Sequence, residues 1–263
     1  MVNNIARGPF PVSSQELAGK RALVTGGSRG IGAAIVRRLL DAGAQVVGSA
    51  RTPVDDFPAD ATFVRGDVST LDGARAVAKG AVDALGGIDI LINNAGAAAG
   101  YPGGVLAIED DAWLDALNAN YLSAVRLTAA LLPAMIAQKS GVIVNVSTVA
   151  AFIPTPPLAH YGAAKAALNA YTKSVASEVA PHGVRVVAIS PGNVTSPGAD
   201  KLRQDLAKGL SLDPAALTAG VPLGRVGVPS DIAEMVGFLV SERAAWITGS
   251  NFLIDGGEAP FVF

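Results

Sequence analysis

Thr25-Gly26-Gly27-Ser28-Arg29-Gly30-Ile31-Gly32 decides the fold of this chain. It joins a short apolar run, 21–25, to a segment of helical periodicity near 30–42. Glycines at such a junction let the backbone turn tightly and let a pyrophosphate come close. The helix that starts there offers free N–H groups and the positive end of its dipole. Gly26, Gly30 and Gly32 stand four and two residues apart, which departs from the common G-x-G-x-x-G spacing.

Beyond this turn, β-rich runs recur at 45–49, 62–64, 88–93, 142–147, 184–190 and 251–254. Helical segments lie near 70–85, 110–138, 161–180 and 229–240. Several runs are apolar throughout, as a parallel sheet covered on both faces requires. The alternation predicts βαβ units and a doubly wound, Rossmann-like α/β domain of about seven strands. Its ligand belongs at the carboxyl ends of the strands. The domain is expected over 19–263, with residues 1–18 as an extension. The stretch 196–227 breaks the rhythm and reads as a substrate loop, with weak helices near 199–208 and 213–218.

Composition fits one compact domain. Of 263 residues, 50% are hydrophobic and 16% charged, which excludes a disordered chain. The net charge is −2 and no basic run exceeds two residues, which argues against a nucleic-acid partner. The absence of cysteine removes thiol nucleophiles and Cys-ligated metals, and it fits a cytoplasmic location. The two histidines give no metal site. The uncharged stretch 140–164 is long enough to span a membrane, but Asn145, Pro154, Pro156 and Pro157 make it a strand plus a turn.

The end of the second run selects the nucleotide. An NAD enzyme places an acid there for the ribose 2′-hydroxyl. This chain has Arg51 instead, with Arg29 in the glycine turn. Guanidinium groups suit a 2′-phosphate, so NADP(H) is the expected cofactor.

Tyr161 and Lys165 are one helical turn apart and share a face. A nearby ammonium favours phenolate, and a proton donor tuned that way suits carbonyl reduction. Ser147 and Thr148 end the preceding run, where a hydroxyl faces the ligand crevice. Asn120 lies mid-helix, where a buried amide needs a partner or a role.

These residues together resemble the short-chain dehydrogenase/reductase family in its NADP(H)-type, roughly 250-residue form. The resemblance runs from Gly19 to Gly257. The turn from Thr25 to Gly32 matches the cofactor motif, through Gly26, Ser28, Arg29, Gly30 and Ile31. Asp67 and Val68 match the adenine-holding pair, and Asn93-Asn94-Ala95-Gly96 the turn that closes the fourth strand. Asn120 matches the structural and proton-relay Asn. Tyr161-Gly162-Ala163-Ala164-Lys165 matches the Tyr-x-x-x-Lys signature. Pro191 and Gly192 match the turn under the nicotinamide, where Val194 contacts the carboxamide through its backbone. Trp246-Ile247-Thr248-Gly249 and Asp255-Gly256-Gly257 match the last strand region.

The resemblance implies hydride transfer between the nicotinamide and a small carbonyl or alcohol substrate. Tyr161 is the implied proton donor, and Lys165 the group that binds the ribose and lowers the Tyr161 pKa. Asn120 is implied to hold a water. Two positions depart from the pattern. Thirteen residues before Tyr161 stands Thr148 where the family has Ser; Thr148 is the expected catalytic hydroxyl, with Ser147 as the fallback. After Pro191-Gly192 the carboxamide hydroxyl falls to Ser196, with Thr195 beside it. A homotetramer is implied, with the helices near 110–138 and 161–180 at one interface. Leu127, Leu131, Met135, Leu168 and Val175 are expected to serve burial on two sides.

The loop 196–227 carries leucines and no clamp for a charged substrate, which suggests a neutral or largely apolar ketone. The motifs do not separate this from 3-oxoacyl-carrier-protein reductase or sugar dehydrogenase activity. A non-catalytic nucleotide-binding regulator is the reading from another class.

Overall fold

The computed structural model describes residues 15–261. Seven parallel strands form one sheet: β1 (Arg21–Thr25), β2 (Gln45–Ala50), β3 (Thr62–Arg65), β4 (Ile90–Asn93), β5 (Gly141–Val146), β6 (Val184–Pro191) and β7 (Asn251–Ile254). Their order is β3-β2-β1-β4-β5-β6-β7. Chain order therefore runs outward one way from β1 and then the other way from β4. The ligand crevice of such a sheet opens at the carboxyl ends of β1 and β4.

The helices are α1 (Gly30–Asp41), α2 (Leu71–Leu85), α3 (Asp110–Leu117), α4 (Ser123–Ala137), α5 (Ala159–Val179), α6 (Pro197–Leu210) and α7 (Pro229–Val240). Side chains alternate across each strand and so build two cores. Ala22, Val24, Ile92, Val144 and Val187 face α1 and α7, meeting Ile35, Leu39, Ile232 and Val236. Leu23, Val47, Leu91, Ile143 and Val186 face the other way, onto Val77 of α2, Leu127 and Met135 of α4 and Val179 of α5.

Of the expected extension 1–18, residues 1–14 lie outside the described residues. Leu17 is buried in the first core, and Glu16 pairs with Arg38 and Arg243. The helix expected near 110–138 is two helices joined by a widened π turn, Asn118–Leu122. The whole stretch Asp110–Ala137 is apolar and long enough to cross a bilayer, but the turn interrupts it and α4 packs on α2 and the sheet. The stretch 140–164 is β5 followed by a turn and the start of α5, as expected. Leu127, Leu131, Met135, Leu168 and Val175 are all buried within the single chain. Leu127, Leu131, Met135 and Val175 belong to the second core, so the residues expected to serve burial on two sides are covered within the chain itself.

Candidate active site

The ends of β1 and β4 are tied together. Thr25 Oγ1 donates to Ile92 O and accepts from Asn94 N and Ala95 N, each at 3.0 Å. Asn94 Nδ2 donates back to Thr25 O at 2.9 Å. The glycine turn starts from this lock. Gly26 has φ +64°, and a Cβ there would lie 2.9 Å from Asn94 Nδ2. A Cβ on Gly32 would lie 2.1 Å from Gly26 O, so only glycine lets α1 start this close to the turn. Ile31 packs on the first core, Ser28 is half-buried and Arg29 is exposed. Arg29 stands at the amino end of α1 with no side-chain cap on the helix. Ser196 faces this turn: its Cβ is 2.9 Å from where a Gly30 side chain would begin. The Ser196 hydroxyl caps α6 by accepting from Ala199 N at 3.2 Å, and Thr195 Oγ1 donates to Gly227 O.

Beyond β2, Arg51 is exposed, and Arg65 Nε donates to its carbonyl at 3.1 Å. Asp67 follows β3, and Val68 beside it is buried. Asp67 Oδ1 accepts from Ser69 Oγ at 2.7 Å and Ser69 N at 3.0 Å. These bonds, with a smaller contribution from the Arg51 cation, hold the Asp67 carboxyl below its ordinary pKa.

The reactive groups meet at the start of α5. Gly162 allows it: a Cβ there would lie 2.8 Å from Ala150 O, so α5 seats directly on the short turn Val149–Ala151. Thr148 begins that turn, its Oγ1 accepting from Ala150 N at 3.3 Å, and its hydroxyl lies near enough to the Tyr161 phenol to favour the ionised form. Ser147, one residue earlier, is buried and donates to Lys165 O at 3.4 Å. Of the two hydroxyls, the one on Thr148 lies near the phenol. Lys165 is buried, and its Nζ donates to Val146 O at 2.7 Å. Burial pulls the Lys165 pKa down to about 8. The Tyr161 pKa is pushed up by burial, and the Thr148 hydroxyl only partly opposes this. The lowering expected from Lys165 is thus opposed by desolvation of the phenol.

The π turn places Asn120. Its Nδ2 donates to Ala116 O, four residues back, and to Ala97 O at 2.7 Å, while Oδ1 accepts from Ala97 N. Gly96 lies between Asn120 and Lys165: a Cβ on it would lie 2.7 Å from Asn120 Oδ1 and 3.4 Å from Lys165 Nζ. After β6, Gly192 N donates to Ile254 O, and Val194 is buried in a lone parallel bridge with Gly227. The loop 97–104 and α6 pack together as two walls, with Gly100 against Leu206 and Gly209 against Pro102.

His160 is buried against the rings of Tyr101 and Trp113, consistent with packing. His182 is exposed, and so is Trp246, at 99%. No cluster of metal-ligand residues occurs among the described residues. Sequence reasoning missed Gly162, whose spacing inside the Tyr-x-x-x-Lys signature was its only signal. It also missed Glu258, which bonds Asn193 and lies in no motif.

The residues present fit a dinucleotide: a backbone cradle that a Cβ would fill, the open amino end of α1, and an acid and two arginines toward β2. The model of the short chain dehydrogenase family matches residues 20–207. The chain is 38% identical to a 3-oxoacyl-[acyl-carrier-protein] reductase FabG of Vibrio cholerae, over 92% of this chain and 98% of that one. It is 34% identical to 3beta-hydroxysteroid dehydrogenase 1 of Eggerthella lenta, over 92% and 94%. Among solved structures it is similar to L-sorbose reductase from Gluconobacter frateurii, complexed with NADPH and L-sorbose. The TM-score is 0.85 and the identity 31%, with 95% of this chain and 100% of that one covered. The crystal structure of gox2181 matches with the same TM-score at 30% identity, over 93% and 97%. With this cradle, this pairing of Tyr161 and Lys165 and these relatives, the chain belongs to the short-chain dehydrogenase family and is an oxidoreductase acting between alcohol and carbonyl.

Proposed function

We propose that the chain is an NADP(H)-dependent carbonyl reductase, reversible as an alcohol dehydrogenase. The observation that carries this is the meeting of Thr148 and Tyr161 beside Lys165, at the crevice end of a sheet whose glycine turn fits a dinucleotide. Arg29 and Arg51, exposed and without a carboxylate in salt-bridge reach among the described residues, support the phosphorylated cofactor, as does the relative solved with NADPH. Gly26, Ser28, Arg29, Gly30 and Ile31 would hold the pyrophosphate. Arg51 would hold the 2′-phosphate, and Asp67 and Val68 the adenine. Asn94, Ala95, Gly96, Pro191, Gly192, Val194 and Ser196 would line the nicotinamide end, with Tyr161 and Lys165 at its ribose. When bound, NADPH supplies the hydride.

In this reading Tyr161 gives its phenolic proton to the carbonyl oxygen as that oxygen gains charge. Thr148 donates a hydrogen bond that orients the same oxygen. A pKa raised by burial keeps Tyr161 protonated and ready to donate at neutral pH. Lys165 and Asn120, on either side of Gly96, return a proton to Tyr161. The packed leucines of α6 against 97–104 support a neutral, largely apolar substrate. We place the enzyme in the cytoplasm as a homotetramer. Exposed Leu106, Leu114 and Trp246 are apolar groups that association would cover.

The test is separate calorimetric titration with NADPH and NADH. We expect NADPH to bind at least tenfold more tightly. Arg51→Ala should weaken NADPH roughly ten- to a hundredfold and barely move NADH, since about 1.5–3 kcal/mol rides on a charge-assisted contact. Equal binding of both cofactors would overturn the NADP(H) assignment and leave the reductase chemistry standing.

A further inference from the structure

Arg126 on α4 reaches two separate segments of the chain with one guanidinium. Its Nη1 donates to Ser69 O, in the loop after β3. Its Nη2 donates to Asn118 Oδ1 at 2.8 Å, eight residues back at the start of the π turn. Both acceptors are neutral oxygens, and no carboxylate stands within salt-bridge distance of Arg126 among the described residues. The planar fork fixes the spacing of its two bonds, so it sets the position of one segment against the other.

The first segment carries Asp67. Ser69 gives both its N and its Oγ to Asp67 Oδ1, at 3.0 and 2.7 Å. Thr70 Oγ1 donates to Asp67 O at 3.1 Å and accepts from Gly73 N at 3.1 Å, which caps α2. Arg126 holds the carbonyl of the residue that holds the acid. The second segment carries Asn120. A π turn takes up an extra residue and loosens the helical ladder, so side chains must secure it. Ser123 Oγ donates back to Ala119 O at 2.8 Å, Asn120 bonds Ala116 O and both backbone groups of Ala97, and Asn118 accepts from Arg126. Ala97 follows Gly96, the residue between Asn120 and Lys165. Neither Arg126 nor Asn118 falls in a motif of the sequence.

We propose that Arg126 is a positioning residue that braces the Asp67 loop against the π turn, so that filling the adenine end of the site stiffens its proton-relay end. This rests on the reading of Asp67 as the adenine acid and Asn120 as part of the relay. A ligand on Asp67 orders Ser69, Ser69 orders the guanidinium, and the guanidinium orders Asn118.

The test is hydrogen exchange on the full-length protein with and without saturating adenosine 2′,5′-bisphosphate, which fills only the adenine end. In wild type we expect exchange to slow about threefold over 65–73 and also over 95–101 and 118–122. In Arg126→Met the slowing should remain at 65–73 and vanish from the other two. Asn118→Ala should show the same loss, so the test stands if Arg126→Met does not fold. Reduction of butane-2,3-dione by NADPH gives a second readout. Arg126→Met should lower kcat about tenfold and weaken NADPH about fivefold, since it releases both segments. Asn118→Ala should lower kcat about as much and move NADPH affinity by less than about twofold, since the bond to Ser69 O survives. The double variant should be no slower than Arg126→Met, and Arg126→Lys should recover part of the loss.

Slowing at 95–101 that is absent from wild type, or that persists in both variants, would overturn the brace and leave the reductase standing. Additive losses in the double variant would do the same. A bisphosphate that does not bind, or binds without slowing 65–73, would overturn the placement of adenine at Asp67 and the brace with it. A wild type that shows the linked slowing yet reduces no dione would overturn the reductase reading and leave the brace in place.

Discussion

The two ends of the parallel sheet carry charge in opposite ways. At the amino ends two sets of charged groups are paired. Arg21 holds Asp89 across β1 and β4 at 2.8 Å, while Arg38 and Arg243 converge on Glu16 at 2.8 and 3.0 Å. At the carboxyl ends Lys165 is buried against a backbone carbonyl, and Arg29 and Arg51 stand in solvent. None of these three has a carboxylate within salt-bridge distance among the described residues. These paired charges serve the fold, whereas Lys165, Arg29 and Arg51 are left without a carboxylate where the fold meets a ligand.

Lys165→Met is the strongest way to break this contrast. Turnover should fall on the order of a thousandfold, as a lost proton-relay group would produce. The apoprotein should nevertheless become more stable. With a pKa of about 8 in the fold against 10.5 unfolded, the unfolded chain binds more protons between those values, so wild-type stability rises with pH across that window. Below it, burying the charged form costs about 3 kcal/mol, offset by about 1 kcal/mol from the bond to Val146 O. Urea unfolding at pH 7 should therefore place the variant about 2 kcal/mol above wild type, with the gap closing above pH 10. A variant less stable than wild type would show that Lys165 is a structural residue.

The next test separates two adjacent hydroxyls. Thr148→Ala should lower kcat about a hundredfold, and Thr148→Ser should restore most of it. Ser147→Ala should cost less than about fivefold, because that hydroxyl is spent on Lys165 O inside the α5 junction. The reverse ranking would move the catalytic hydroxyl one residue and break the assignment.

The contrast also explains what was legible in the sequence. Strands with both faces covered show as apolar runs, and glycines that sterics demand show as motifs, so the sheet, its helices and the cradle could be read directly. Three features could not. The π turn at Asn118–Leu122 has no period of its own; it exists because Asn120 bonds Ala116 O and the loop at Ala97, a tertiary contact. The desolvation that raises the Tyr161 pKa was not readable either, because sequence spacing shows that a lysine is near but not how far the site is shielded from water. The bonds from Asn193 to Glu258 were equally silent, since a lone carboxylate in no motif looks like surface charge until Asn193 is seen beneath it.

The smallest effect belongs to the paired end, and it sharpens the comparison by being only structural. Asp89 accepts from Arg21 Nε at 2.8 Å and Nη2 at 2.8 Å, and also from Arg21 N at 3.0 Å. These bonds hold its carboxyl below the ordinary pKa. Its stabilising contribution is therefore present above about pH 4 and is lost as pH falls through the depressed folded value. Asp89→Asn keeps one acceptor but loses the charge. It should cost about 1 kcal/mol at pH 7, since the pair is partly exposed and solvent screens it. That deficit should shrink as wild type titrates in acid. NADPH affinity should not move, because the pair lies at the opposite end of β1 and β4 from the glycine turn. An Asp89→Asn protein with weakened NADPH binding would show that the two ends of the sheet are coupled, and that the division between structural and ligand-facing charge does not hold.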